Sequence, residues 1–254
     1  MLVLLSPAKK LDYDSPVRTT LHSQPLFVKQ ASELIKVLRQ KSVEDIASLM
    51  KLSDALAELN HARYAEWKPS FDTNNARQAI LAFNGDVYEG LRAPELSDAA
   101  LKWAQEHVVM LSGLYGVLRP LDLMRPYRLE MGTRLETSKG ANLYAFWGSR
   151  IAEYLNEQGH DVVVNLASEE YFKVVDQKVL MPRVIQCVFQ EKKGDAWKVI
   201  SFHAKRARGL MARFIIDKKL DSPKGLERFA EEGYSFAKDA SSADRLVFRR
   251  AAQS

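Results

Sequence analysis

Cysteine is nearly missing from this chain: Cys187 is the single one among 254 residues. One thiol excludes an intramolecular disulfide and any cysteine-rich zinc or iron–sulfur site. Its setting, "RVIQCVFQ", puts Ile185, Cys187 and Phe189 on one face of an expected strand. That is the setting of an inert core thiol, since a redox sensor needs exposure and basic neighbours. Long apolar runs are missing too. The longest, such as Met1–Leu5, are about five residues, against the roughly 20 needed to cross a bilayer. That first run has no basic residues ahead of it and stops at Ser6-Pro7, unlike a secretory signal, so no membrane association and a cytoplasmic location are expected. The 5 histidines are scattered and none lies in an H-E-x-x-H. Glu58/His61 and Glu157/His160 have the spacing of di-iron ligands, but the second pair spans Gly159 at an expected helix end. No G-x-G-x-x-G occurs, and "GDVYEGLR" (85–92) continues Leu-Arg where a P-loop requires Lys and then Ser or Thr. Neither a metal nor another cofactor is expected.

What is present is an ordinary globular composition, 46% hydrophobic and 27% charged. The net charge of +5 permits a polyanionic partner. Met1–Leu5 reads as a short buried strand. "PLFVKQASELIKVLRQ", "SVEDIASLM" and "SDALAELNHARYAEW" have helical spacing, the last two opening on a serine suited to N-capping. "QAILAF" reads as a strand. Ser97 is placed to cap a helix running to about Leu111 and ending at Gly113, and "NLYAFWGSRIAEYLNEQG" reads as one helix with a glycine stop. "DVVVNLAS" is a buried strand leading to Ser168. "RVIQCVFQ" and "WKVISFH" form a hairpin through "EKKGDA", residues 204–220 a helix, "SPKGLERFAEEG" a shorter one, and "RLVFRR" a last strand. Helices and strands mix without strict βαβ alternation, so the expected class is α+β, a single mixed α/β domain over residues 1–254.

Three clusters carry chemistry. In "AKRARGLMARFIIDKKL" (204–220), Ala207, Leu210, Met211, Phe214 and Ile215 fall on one side of a helix. Lys205, Arg206, Arg208, Arg213 and Lys219 fall on the other, with Asp217 the only acid in the span. A solvated face normally mixes signs to gain i,i+4 pairs, so phosphate contact and an ordinary surface helix both remain open. The passage "MLSGLYGVLRPLDLMRPYRLEMG" (110–132) has the layout of a helix-hairpin-helix. There Gly113 and Gly116 would point backbone N–H groups at an anion, with Arg119, Arg125 and Arg128 adding charge-assisted bonds. A packed crossover is the alternative. Finally, "LLSPAKKLD" and "NLASEEYFK" each place polar residues just after a buried strand. If the two strand ends lie together, Lys9, Asp12, Asn165 and Glu169 converge on one cleft, where a carboxylate beside a lysine suits acid–base chemistry. Two separate helix caps are the alternative.

"SPAKKLD", "AFNGDVYEGL", "LSGLYGVLRPLDLMRPYRLEMG", "LYAFWG", "VNLASEEYFK" and "AKRARGLMARF" occur in this order between residues 6 and 214. Together they resemble the YaaA peroxide-stress-resistance family. The resemblance implies a cytoplasmic protein that limits DNA and protein damage during hydrogen peroxide stress by lowering unincorporated iron. It also implies a mixed α/β fold with a positively charged cleft and a helix-hairpin-helix-like element that binds duplex and branched DNA. The DNA-binding residues it implies here are Lys9, Gly113, Gly116, Arg119, Arg128, Lys205, Arg206, Arg208 and Arg213. Lys10 stands where the family has a hydroxyl, and His203 where it has a tyrosine. A DNA-binding stress protein is the favoured reading, and an enzyme acting on nucleic acid or nucleotide through the Lys9/Asp12/Asn165/Glu169 cleft is the other.

Overall fold

Leu2–Leu5 is buried along its whole length, and a strand apolar on both faces needs cover on both. It lies in the middle of the main sheet, parallel to Val108–Ser112 on one side and to Val162–Asn165 on the other. Beyond Val162–Asn165 come Arg183–Lys193 and Arg245–Arg250, again parallel. Antiparallel strands complete the sheet: Gly116–Leu118 beside Val108–Ser112, Ser235–Phe236 beside Arg245–Arg250, and Ala196–Lys198 folded back on Arg183–Lys193. This computed structural model describes residues 1–251. The fold is mixed α/β, an eight-stranded sheet with helices packed around it.

The mixture of helices and strands agrees with the sequence pattern, but five adjacent parallel strands correct the α+β assignment. Parallel neighbours need crossovers, and the first of these fills residues 6–107 with several helices, so no βαβ period shows in the sequence. Local chemistry explains many boundaries. Ser42 accepts from the Asp45 amide while Asp45 accepts from the Ser42 amide, a capping box that starts Val43–Met50. The Ser97 side chain caps Asp98–His107. That helix stops at His107, not near Leu111, because the buried run Val108–Ser112 gains ladder partners on both sides and its β-branched start favours a pleated surface.

Other segments depart from expectation for equally local reasons. "QAILAF" is one helical turn, Ala79–Ala82, between the two-residue strands Arg77–Gln78 and Phe83–Asn84. Gly148, at φ 52, breaks "NLYAFWGSRIAEYLNEQG" into Leu143–Trp147 and Arg150–Glu157. The hairpin through "EKKGDA" forms as expected, turning at Gly194 with φ 62. The second strand of that hairpin stops at Lys198, and a helix begins at Ser201.

The passage 110–132 is not a helix-hairpin-helix. Val108–Ser112 and Gly116–Leu118 form a β-hairpin, and every residue from Leu111 to Leu118 is buried. A Cβ on Gly113 would overlap the Leu129 carbonyl, and one on Gly116, at φ 70, would meet the Trp147 ring at 2.6 Å. Trp147 Nε1 donates to the Gly113 carbonyl at 3.1 Å. Both glycines serve close packing and a tight turn, which removes their backbones from reach of a phosphate.

Ser201–Lys218 is covered over a wide arc. Its buried residues include Ala204, Ala207, Gly209, Leu210, Ala212 and Ile216, too many for one apolar stripe. The extra cover is the helix Asp86–Leu91, which crosses it backbone to backbone. A Cβ on Gly209 would overlap the Val87 carbonyl, and one on Gly90 would overlap that of Arg206. No helix among the described residues is long and apolar enough to cross a membrane.

Candidate anion-binding cavity

From Leu2–Leu5 the chain moves to Val108–Ser112 on one side of it and later returns to Val162–Asn165 on the other. The carboxyl ends of Leu2–Leu5 and Val162–Asn165 therefore flank a topological switch point, the crevice where open α/β sheets bind ligands. A cavity of about 550 Å³ lies there. Residues 6–10 and 168–171, each following a strand, form two of its walls; residues 84–88 form a third, and Lys205 and Arg208 of Ser201–Lys218 close it. The Ser168 amide donates to Ser6 Oγ at 2.8 Å, and the Tyr88 hydroxyl donates to the Ser6 carbonyl at 2.9 Å. These bonds tie the two strand ends to the third wall.

The convergence of the two strand ends is as expected, and Lys9 and Glu169 both line the cavity. Asn165 and Asp12 do not. Asn165 is buried, donates to Gln186 Oε1 at 2.6 Å and accepts from the Ala167 amide at 2.9 Å, so it joins neighbouring strands. Asp12 accepts from the Asp14 and Ser15 amides and from Arg77. Hydrogen bonds from Ser15 chiefly hold its carboxyl below the usual range, and its work is bracing a loop.

The cationic residues divide by partner. Lys9 Nζ lies 3.0 Å from Glu130, which also takes Arg128 at 3.1 Å. Arg206 pairs with Glu232 at 2.5 Å, and this bond lowers the Glu232 pKa. Arg213 pairs with Asp217 at 2.7 Å and donates to the Arg92 carbonyl at 3.1 Å. Arg119 pairs with Asp122 at 2.8 Å in a separate depression lined by Phe27, Arg150 and Tyr154, which has no lining residue in common with the cavity. Arg119 and the cavity's cations therefore line different depressions. The 204–220 segment contains a single acid, and the balance of its charge comes from Glu232 and Glu95, distant in sequence.

Three cations on the cavity differ. Lys10, Lys205 and Arg208 have no carboxylate within ion-pair distance among the described residues. Arg208 is mostly enclosed, and its Nε has no hydrogen-bond partner. Burial holds its pKa below the ordinary guanidinium value, though a guanidinium stays protonated at neutral pH. Its neighbour Cys187 supplies no counter-charge, since burial pushes that thiol up to about 12. Acids are present as well, Asp86, Glu130, Glu169 and Glu170, so the cavity is mixed in sign rather than uniformly positive. Nothing in the local sequence marks Asp86, Tyr88 or Glu130 as lining it. Only the paired glycines Gly90 and Gly209 hint that 84–88 packs over the basic helix, and no local spacing reveals that.

The chain is thus a mixed α/β protein with a charged cavity at the switch point of its sheet. It belongs to the peroxide stress protein YaaA family, whose sequence model matches residues 1–240. It is 69% identical over 256 residues to a UPF0246 protein of Bordetella petrii, covering 99% of this chain and 100% of the relative. UPF0246 proteins of Paracidovorax citrulli and Polaromonas naphthalenivorans are 62% and 61% identical, each match covering 98% of both chains.

Proposed function

We propose that this peroxide stress protein binds duplex or branched DNA through its phosphates, with little sequence readout, and that occupancy of DNA limits iron-dependent oxidative damage. The observation that carries this reading is the trio Lys10, Lys205 and Arg208, cations gathered on one cavity without acidic partners among the described residues. None of the three forms an ion pair with the acids that also line the cavity, so their donors are available to an external anion, and a phosphate backbone supplies anions at regular spacing. The two lysines are exposed and the arginine recessed. Lys9 and Arg128, sharing Glu130, extend the basic rim, and Arg206 adjoins Lys205 on the same helix. Side chains of these types position a duplex and carry little sequence information.

The test is the double charge reversal Lys10→Glu/Lys205→Glu, both at exposed positions. Duplex and four-way-junction affinity is expected to fall by at least about tenfold near 0.1 M salt, with the melting temperature unchanged. Native-like affinity in the folded variant overturns the mapping.

A second reading, an enzyme acting on nucleic acid or nucleotide, is favoured by Asp86 and Glu169 lining the same cavity as Lys205 and Arg208. Carboxylates beside cations suit proton transfer. Turnover of abasic or oxidised DNA that disappears in Glu169→Gln supports it; turnover that persists there contradicts the role of this carboxylate.

A further inference from the structure

The cavity is more varied in its lining than a phosphate track along a duplex requires. Arg208 stands in its wall with an enclosed, unpartnered Nε, beside the exposed Lys205. A half-buried guanidinium without a counter-ion costs the fold solvation, and the part of it that lines the cavity is free to meet an anion. Asp86 and Glu169 have no ion-pair partner among the described residues, so they present acceptors for neutral N–H and O–H donors. A further flank is apolar, with Pro7, Ala8, Val87 and the rings of Tyr88 and Tyr171. The volume, about 550 Å³, is that of a site for a small organic molecule.

An anion seat, free acceptors and an apolar flank in one small-molecule-sized space match one chemical class. We infer that the cavity holds a single nucleoside monophosphate unit, its phosphate on Arg208 and Lys205, and its base or sugar donors on Asp86 and Glu169. The unit has two sources with the same chemistry, a free nucleotide or the 5′-phosphorylated end of a DNA strand. This inference rests on the reading that this face of the protein meets DNA phosphate, and adds that one unit enters the cavity.

The probes are adenosine 5′-monophosphate, adenosine and inorganic phosphate, titrated calorimetrically into the full chain and into three variants. Native protein is expected to bind the monophosphate at least tenfold more tightly than either adenosine or phosphate. Arg208→Met is expected to lose at least tenfold in monophosphate affinity while melting near the native temperature, because an unpaired, half-buried charge is removed and an apolar chain keeps the packing of the arginine stem. Arg208→Lys restores part of the binding. The exposed Lys205→Ala loses several-fold, so the outcome does not depend on the Arg208 variants folding. Monophosphate binding that is absent in the native protein, no tighter than that of adenosine, or unchanged in both Arg208→Met and Lys205→Ala, overturns the inference.

Closed circular duplex and a 5′-phosphorylated linear duplex separate this result from the DNA reading. The circle has no end to insert, so its binding reports the rim alone. Circle binding without monophosphate binding leaves the DNA reading standing and removes the inference; monophosphate binding without circle binding does the reverse. Competition by the monophosphate against 5′-phosphorylated ends but not 5′-hydroxyl ends assigns the DNA source. Binding of the free monophosphate without such competition assigns the free nucleotide.

Discussion

Gly209→Ala is expected to lower stability by about 3 kcal/mol or more, despite the roughly 1 kcal/mol of helix propensity that alanine adds. Gly209 lies inside Ser201–Lys218, where the backbone is helical and alanine suits it well. The difficulty is the crossing. A Cβ there overlaps the Val87 carbonyl and lies 2.9 Å from the Leu91 nitrogen. These are backbone atoms, which no change of rotamer can move aside. Relief requires Asp86–Leu91 to lift away from Ser201–Lys218, so that Val87 and Leu91 lose their close packing. For a chain of this size the loss corresponds to a fall of about 6–12 °C in melting temperature. The same displacement separates Asp86 and Tyr88 from Lys205 and Arg208, which line the cavity from the two sides of the crossing, so ligand binding falls with stability. A variant melting within a degree of native would falsify the crossing.

Removal of Arg119 is the second large effect. Asp122 has no solvent exposure, and Arg119 meets it through Nε and Nη2, the shortest contact being 2.8 Å. Ser23 Oγ donates to the same carboxylate at 2.7 Å, and the Arg119 amide at 2.8 Å. Burial already pushes the Asp122 carboxyl above its usual pKa, with the Arg119 bonds opposing that rise. Arg119→Ala strands a buried carboxylate and is expected to cost about 3 kcal/mol, the low end for a broken buried pair because two donors remain. The pH dependence carries the diagnosis. With Arg119 gone, the folded-state pKa of Asp122 rises further above its unfolded value, so its protonated form stabilises the fold at low pH. That contribution is lost as pH rises through the folded pKa. The deficit relative to native protein is therefore smaller at acidic pH than at neutral pH, and Asp122→Asn added to Arg119→Ala reduces it at neutral pH. Equal melting curves for native and Arg119→Ala proteins at neutral pH contradict this assignment. DNA affinity of the folded variant is expected to match native, since Arg119 lies in a depression with no lining residue in common with the cavity.

How much of this was legible in the sequence follows from how far each interaction reaches along the chain. The Ser42 and Ser97 caps, the strands in "DVVVN" and "RLVFRR", and the Gly194 turn depend on neighbours a few residues away, and the sequence shows them. Val108–Ser112 looked like the end of a helix because its apolar run continues one, and only pairing with Leu2–Leu5, far earlier, makes it a strand. The basic helix has the same limit. Arg206 finds Glu232 and Arg213 finds Glu95, and neither acid is visible from the helix itself. The meeting of Lys9 with Glu169 was legible because both follow apolar strands, and polar groups at strand ends share a crevice when those strands are parallel neighbours. The recessed position of Arg208 was not, since it comes from a glycine-to-glycine crossing between two distant helices.

The central claim is that this face of the protein holds DNA by its phosphates, and the salt dependence of binding measures that contact directly. With Lys9, Lys10, Arg128, Lys205 and Arg206 as the cations of the rim, contact with about four to five phosphates is expected. The logarithm of the association constant for closed circular duplex should then fall against the logarithm of salt concentration with a slope of about −4 to −5. Lys10→Glu/Lys205→Glu should bring that slope about two units closer to zero, one unit for each contact removed. A slope near zero, or one that the double reversal leaves unchanged, contradicts the account.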